Sequence, residues 1–261
     1  MGSLDPGTGA ALPAGPGHAF LVVARGRRFE AIDSAINDLG TVPADPAPRA
    51  GLGLGLGLGL GLGLGLGLGE TSTGSLVRTT LARNSIGLKL DRTDGVRLEG
   101  VTVSDSAADG LVLRGDRGTA LTRVTVRGNG ASTDDAVGVY THVGSAQITI
   151  NRAAITGARR GLQIDKTSRD LTANASTIVN ASVAGIAIGG HQITLNQVVV
   201  ADSASALRVE RGAGEVTATG VPVTGGNDGV VALTATNDVV LRNLATDGVA
   251  RTAIRTFRRP A

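Results

Sequence analysis

Residues 95–115 read GVRLEGVTVSDSAADGLVLRG, and this stretch contains one complete unit of a repeat. It holds three short runs of alternating apolar side chains, which are Val96-Arg97-Leu98, Val101-Thr102-Val103 and Leu111-Val112-Leu113. Alternation with a period of two predicts strands that place one face in a core. Gly and Asp residues, which favour turns, separate the runs. The stretch therefore predicts three short strands joined by tight corners.

Copies of the third run recur along the chain. Each copy begins at a small residue, at positions 87, 110, 138, 161, 185, 206, 229 and 253, and the copies are spaced 21–28 residues apart. Three strands per copy describe one coil of a solenoid, in which every coil buries its apolar residues on its neighbours. A left-handed β-helix has roughly 18 residues per coil, and the leucine-rich repeat consensus is absent. We therefore expect an all-β fold, a right-handed parallel β-helix of about seven to eight coils over residues 70–261.

The composition agrees with a solenoid and excludes several classes of function. The chain is 41% hydrophobic but only 2% aromatic, so its core must be built from Val, Ile, Leu and Ala. The formal net charge is +3, and no basic stripe with interleaved aromatic residues appears, so we expect no nucleic-acid partner. The absence of cysteine excludes disulfides, Cys-ligated zinc and thiol chemistry.

The first 50 residues are interpreted as a leader that contains two short elements. An apolar run over residues 20–24 predicts a strand. The apolar side chains of the segment from Phe29 to Leu39 recur at helical spacing, which predicts a short amphipathic helix. No charged and apolar pattern typical of a signal peptide is visible at the start, although we expect a secreted or cell-envelope protein.

Residues 51–69 form a strict alternation of ten Gly and nine Leu. A period of two is typical of a strand with one Leu face, but such a strand has a poorly defined register. The length also permits contact with a membrane, although Gly is a poor helix former. The alternatives are a low-complexity linker or an added strand, a membrane contact, and a sequence artefact.

The repeat sequence resembles right-handed parallel β-helix proteins of the pectin-lyase-like and alginate C5-epimerase-like kind. The resemblance is carried by text such as GVRLEGVTVSDSAADGLVLRG and covers about 180 residues. It implies that the segment Phe29–Leu39 caps the apolar end of the solenoid. It also implies an acidic polysaccharide as partner and lyase or epimerase chemistry, although the fold also serves structural and adhesive proteins.

Aligning the copies places the outward side chains in columns. The first column contains Lys89, Val112, Tyr140, Gln163, Ala187, Arg208 and Val231, and the second contains Asp91, Arg114, His142, Asp165, Gly189 and Glu210. Adjacent coils lie about 4.8 Å apart, and residues i and i+2 of a strand lie about 6.6 Å apart. The alignment therefore predicts a patch about 10 Å across that contains the only Tyr of the chain.

The chemistry of this patch suits proton abstraction next to a carboxylate. Arg114 is predicted to neutralise the carboxylate, His142 to act as the base, Tyr140 as the acid, and Asp165 to orient the imidazole. The resemblance supports the roles of Tyr140 and His142, because alginate-epimerase-like enzymes also use a Tyr and a His on this face. Lys89, Gln163, Lys166 and Arg208 are predicted to bind substrate.

Two other interpretations of the polar residues stay open at this stage, which are a binding patch without catalysis and an ordinary solvated surface. The outward columns alternate in charge, as ordinary solvated ladders do to support register and solubility. We expect no cofactor and no metal site. Ca²⁺ is a weakly supported exception at Asp134 and Asp135, because two adjacent carboxylates lack the spaced oxygen ligands of a calcium loop.

Overall fold

A computed structural model describes residues 21–23, 26–37, 53–54, 66–68, 72–84, 86–129, 136–233 and 237–256. This part of the chain contains 29 strands and no helix. The strands follow one another in sets of three and form three parallel sheets, so the molecule is a parallel β-solenoid of about seven turns. The predicted all-β solenoid is confirmed.

The three sheets are numbered in the order in which the chain visits them within a coil. In spatial order, sheet 1 contains β2 (Arg28–Ile32), β6 (Thr73–Val77), β9 (Arg97–Glu99), β12 (Ala120–Thr122), β15 (Ala146–Asn151), β18 (Arg169–Asn174), β21 (His191–Asn196), β24 (Gly214–Thr219) and β27 (Asn237–Arg242). Sheet 2 contains β3 (Ala35–Asn37), β7 (Thr80–Ala82), β10 (Thr102–Ser104), β13 (Thr125–Arg127), β16 (Ala154–Thr156), β19 (Thr177–Val179), β22 (Val199–Ala201), β25 (Pro222–Thr224) and β28 (Ala245–Asp247). Sheet 3 contains β1 (Leu21–Val23), β5 (Leu66–Leu68), β4 (Gly53–Leu54), β8 (Leu88–Asp91), β11 (Leu111–Arg114), β14 (Val137–His142), β17 (Arg160–Ile164), β20 (Ala184–Ile188), β23 (Ser205–Val209), β26 (Asp228–Ala232) and β29 (Thr252–Thr256).

The core lies inside the coils and is aliphatic. In each strand alternate side chains point inward, and those of Leu76, Leu81 and Leu90 are fully buried. Stacking places like residues above one another, for example Leu88 beside Leu111 and Leu90 beside Leu113 in the register of sheet 3. The core therefore needs few aromatic residues, because rows of stacked aliphatic side chains fill most of its interior.

The predicted cap helix over Phe29–Leu39 is wrong. Residues 28–32 and 35–37 are the strands β2 and β3, which pair with β6 and β7. Asp33 turns the chain between them with a φ of 50°, as Arg78 does in the next coil with a φ of 47°. Residues 38–39 lie outside the described residues. A helix here would leave the backbone edge of β6 and β7 unpaired, so pairing as a further coil is favoured.

The helical spacing of this segment arises because two strands with apolar residues are separated by a corner. Ala31 is buried on β2 and Ile36 is buried on β3, whereas Ile32, at the end of β2, is exposed. The corner separates the buried Ala31 and Ile36 by five residues, and the exposed Ile32 completes the apparent helical spacing. The predicted strand over residues 20–24 is confirmed as β1.

Two segments of the Gly-Leu tract take part in sheet 3. Gly53–Leu54 and Leu66–Leu68 both pair with β8, and both place Gly opposite Lys89 and Leu opposite Leu90. Two segments can pair with the same residues because the tract repeats every two residues, so that any Gly-Leu pair fits the edge equally well. This placement corresponds to the added-strand interpretation of the tract.

Asparagine side chains connect three coils at the end of their sheet 1 strands. Nδ2 of Asn174 donates to Oδ1 of Asn151 at 2.8 Å, and Nδ2 of Asn196 donates to Oδ1 of Asn174 at 2.9 Å. The register places these three residues directly beside one another.

We expect Asn174→Ala to lower the free energy of unfolding by about 1–2 kcal/mol, because it removes both hydrogen bonds of a half-buried ladder. Urea denaturation checks this value. Thr177→Ala, at an exposed position on the neighbouring sheet, is the control and should change stability by less than about 0.5 kcal/mol. Equal effects of the two substitutions would contradict a stabilising role of the ladder.

Candidate functional site

The outward face of sheet 3 carries the predicted columns. Hydrogen-bonded register aligns the first column as Lys89, Val112, Tyr140, Gln163, Ala187, Arg208 and Val231. The same register places Arg114 between Asp91 and His142 in the second column. The strand alternation therefore brings Tyr140, His142 and Arg114 to one surface.

Tyr140 and His142 lie two residues apart on β14 and form a parallel stack. Their ring centroids are 4.4 Å apart and their planes differ by 9°. The residue between them, Thr141, is buried in the core, so both rings stand on the outer face of the sheet. The stack brings a phenol and an imidazole together at one point of the surface.

The imidazole of His142 is suited to act as a base. Burial lowers its pKa below the ordinary value of 6.5, and the positive charge of Arg114 lowers that pKa further, while Asp165 raises it. The Nε2 atom is buried and has no hydrogen-bond partner among the described residues. At neutral pH the ring is therefore neutral, which is the state that can accept a proton.

Arg114 is fixed by a carboxylate on the preceding strand. Its Nη1 atom contacts both oxygens of Asp91, at 2.9 and 3.1 Å. Asp91 also contacts Arg92 at 3.3 Å and Lys89 at 4.0 Å. Burial lowers the pKa of Lys89, and Asp91 opposes this shift. Three cations therefore surround the carboxylate of Asp91, so these four side chains together carry a net positive charge beside His142.

Asp165 does not form the predicted hydrogen bond to the imidazole. Its Oδ1 atom accepts hydrogen bonds from the backbone N–H and the hydroxyl of Thr167, at 2.8 and 2.6 Å. The carboxylate therefore closes its own turn, because Asp readily bonds to backbone groups two residues on. Its negative charge still acts at a distance. Burial is the main cause of the raised pKa of Tyr140, and the charge of Asp165 raises that pKa further.

The four predicted binding residues lie at different distances from the stack. Gln163 is half-buried next to Tyr140 in the register of β14 and β17. Lys89 lies two coils before Tyr140, beyond Val112. Arg208 lies beyond Ala187 and contacts Glu210 at 2.8 Å. Lys166 is exposed in the turn after β17.

Asp116 is a site-adjacent residue that the sequence did not reveal. It is fully buried in the corner that follows β11, two residues after Arg114. Burial raises its pKa to about 7, and the charge of Asp91 adds to this increase. Aligning the corners offers a signal, because the same position holds Thr93 in the preceding coil and Ser145 in the next, both uncharged.

No group of three or more His, Cys, Asp or Glu side chains arranged to hold a metal ion occurs in the described part of the chain. Asp134 and Asp135, the weak calcium candidates, lie outside the described residues. Within the same described ranges, no helix has the length and hydrophobicity needed to span a bilayer.

Comparison with known proteins shows the same architecture. A sequence profile of the right-handed beta helix region matches residues 64–220. No curated protein sequence matches the chain significantly.

Several solved structures are similar to the chain in fold. An alginate lyase from Paenibacillus sp. str. FPU-7 is 15% identical with a TM-score of 0.58, and the match covers 89% of this chain and 91% of the lyase. A periplasmic alginate epimerase, AlgG, is 15% identical with a TM-score of 0.57, over 74% of this chain and 51% of the epimerase. The catalytic unit of a thermostable GH87 alpha-1,3-glucanase from Streptomyces thermodiastaticus strain HF3-3 is 18% identical with a TM-score of 0.51, over 78% of this chain and 49% of that unit. The chain thus spans about half the length of the epimerase. At these identities the likeness shows a shared fold.

Proposed function

Since the chain belongs to the family of right-handed β-helix proteins, we propose that it acts on an acidic polysaccharide as a polyuronate lyase. The observation that carries the proposal is the stack of Tyr140 on His142 beside the Arg114–Asp91 pair. It combines a neutral base, an acid with a dissociable proton and a fixed cation on one surface. Proton abstraction next to a carboxylate needs these three groups.

The reaction is a β-elimination. Arg114 and Lys89 bind the uronate carboxylate and stabilise the negative charge that develops there when the neighbouring C5–H bond breaks. The proton passes to the neutral imidazole of His142, and the electrons of the broken C5–H bond form the double bond between C5 and C4. The bond from C4 to the glycosidic oxygen breaks, and this oxygen takes the phenolic proton of Tyr140. The products are an unsaturated uronate end and a new hydroxyl end.

The stacked geometry favours elimination over epimerisation at C5. An epimerase removes the proton from one face of the sugar ring and delivers another to the opposite face. Tyr140 and His142 stand side by side on one strand, and their planes differ by only 9°. Both therefore approach a bound sugar from the same side, which suits an elimination whose C5 proton and C4 oxygen lie on one face.

A polyuronate substrate also agrees with the proposed location of the protein. Acidic polysaccharides of this kind lie outside the cytoplasm, and the similar alginate epimerase is described as periplasmic. We therefore place the protein in the cell envelope or among secreted proteins.

We expect the wild-type protein to produce unsaturated ends from at least one of alginate, pectate and hyaluronan. His142→Ala should lower kcat by about 10²- to 10⁴-fold, because it removes the base. Tyr140→Phe should also lower kcat, because it removes the acid but keeps the ring. Ultraviolet absorbance detects the unsaturated ends, and proton NMR detects both these ends and inversion at C5.

His191→Ala is the matched control, because His191 is exposed at the start of β21 on a different sheet. It should leave turnover unchanged. Inversion at C5 without unsaturated ends would replace the lyase with an epimerase. The absence of any change in all three polymers, with and without Ca²⁺, would contradict the proposal.

A non-catalytic structural or adhesive solenoid is the second candidate function. Its support is the pairing of charges along the outward columns of sheet 3, where Arg114 contacts Asp91 and Arg208 contacts Glu210. Pairs of this kind support register in many ordinary sheets. This candidate is favoured if His142→Ala binds the polymer as tightly as the wild type and neither protein shows turnover.

A further inference from the structure

Three corners of the solenoid lie directly after the strands that carry the candidate site. Thr93 follows Asp91 by two residues, and Asp116 follows Arg114 by two residues. Ser145 follows His142 by three residues. All three corner side chains are buried. Whatever holds these corners together also fixes the ends of β8, β11 and β14.

Asp116 connects the corner before it with the corner after it. Its Oδ1 atom accepts hydrogen bonds from the backbone N–H and the hydroxyl of Thr93, at 2.8 and 2.7 Å. Its own backbone N–H donates to Oγ of Ser145 at 3.2 Å. Oγ of Ser145 lies 2.9 Å from the carbonyl oxygen of His142. A continuous set of polar contacts therefore runs from Thr93 through Asp116 to the backbone of His142.

The second carboxyl oxygen of Asp116 is in a different situation. Oδ2 is buried and has no hydrogen-bond partner among the described residues. No ion pair joins this carboxyl group to a cation within the described ranges. The charged groups of the three strands and their corners are Lys89, Asp91, Arg92 and Asp94 on the preceding coil, Arg114 and Arg117 on its own coil, and the titratable His142 on the next. An unpaired buried carboxylate is costly, and the nearby charge of Asp91 increases that cost.

We propose that Asp116 is a positioning residue that regulates the candidate site, and that the connection between the three corners holds while its carboxyl group keeps a proton. This inference rests on the proposed lyase function for its effect on turnover. Loss of the proton places a negative charge behind the Asp91–Arg114 pair, where no cation compensates it. Water must then enter or the corner must shift, and either change displaces the ends of the strands that carry Arg114 and His142.

The inference predicts a narrow pH range for turnover. His142 must be neutral to accept a proton, and its pKa lies below the ordinary 6.5, so turnover rises with pH on the acid side. Asp116 must be protonated, and burial sets its pKa at about 7, so turnover falls on the alkaline side. Two groups that must hold opposite protonation states give a bell-shaped profile.

The test combines a pH–rate profile with NMR titration of His142 in the full-length chain. The profile of kcat/KM for the wild type on the polyuronate should fall above pH 7, and Asp116→Asn should lose this alkaline limb. The ¹³Cε1 signal of His142, assigned with His142→Ala, should show a second inflection near pH 7 in the wild type that Asp116→Asn removes. Asp94→Asn, at an exposed position in the preceding corner, is the control and should keep both features.

Thr93→Val provides an independent variant that keeps the carboxyl group. It removes the hydroxyl hydrogen bond that lowers the pKa of Asp116, so the second inflection should move to higher pH. An inflection that is absent from the wild type, or that persists unchanged in Asp116→Asn, overturns the inference. If no protein shows turnover, the proposed function fails, and the inflection still shows whether Asp116 positions His142.

Discussion

Replacing Asp116 with Asn is expected to remove a large fall in stability between about pH 4 and pH 7. Burial raises the pKa of Asp116 from 3.8 to about 7 in the folded protein. Between these values the folded protein keeps the proton and the unfolded chain has released it, so a rise in pH favours unfolding. The stabilising contribution is fully present below about pH 4 and is lost above about pH 7. A difference of about three pKa units corresponds to about 4 kcal/mol.

Asn is the appropriate replacement because it resembles the protonated acid. Its Oδ1 atom can accept the two hydrogen bonds from Thr93, and its amide group supplies a donor where Oδ2 stands. We therefore expect Asp116→Asn and wild type to be similar in stability at pH 4. At pH 8 the variant should be more stable by up to about 4 kcal/mol.

Urea denaturation at pH 4, 6 and 8 measures this difference directly. Asp94→Asn changes an exposed carboxylate in the neighbouring corner, so its stability should follow the wild type at all three pH values. Parallel pH dependence in Asp116→Asn and wild type would show that the buried carboxyl group titrates near its ordinary value. That result would also remove the basis for an alkaline limb in turnover.

The sequence predicted the outward face of sheet 3 because that face depends only on two regular features. The repeat fixes which residues stack, and strand alternation fixes which residues share a side. Tyr140 and His142, two residues apart on one strand, therefore had to lie on the same face. The closeness of their rings, with centroids 4.4 Å apart, depends on rotamers that alternation does not determine.

The residues that the sequence analysis misplaced or missed lie at corners. Asp33 interrupts two strands with a left-handed conformation, and the apolar pattern on either side of it imitated a helix. Asp165 bonds within its own turn instead of reaching His142. Asp116 points into the interior, although most Asp residues in loops are exposed. Corner conformation is set by pairing with neighbouring coils, which periodicity alone does not describe.

Substitution of Gly161 tests how closely the coils are packed at the start of the sheet 3 strands. A Cβ atom at Gly161 would lie 2.3 Å from Cγ2 of Ile178 and 2.7 Å from the carbonyl oxygen of Gly185. Gly138 and Gly185, one coil away on either side, meet the same two kinds of neighbour. The small residue that begins each repeat is therefore required by the approach of the next coil's backbone, which cannot move without breaking its own ladder.

We expect Gly161→Val to lower the free energy of unfolding by about 3 kcal/mol, and Gly161→Ala to lower it by less, because overpacking forces neighbouring atoms apart. Ala206 occupies the equivalent position two coils later, so the stack tolerates one methyl group where its surroundings are adapted to it. Thr156→Val, at an exposed position on β16, is the control for the added apolar side chain. Urea denaturation should rank the proteins as wild type, Gly161→Ala and Gly161→Val. If Gly161→Val and Thr156→Val were equally stable, the coils would have to separate freely at the start of β17. The strand that carries Gln163 would then not be rigidly held beside Tyr140.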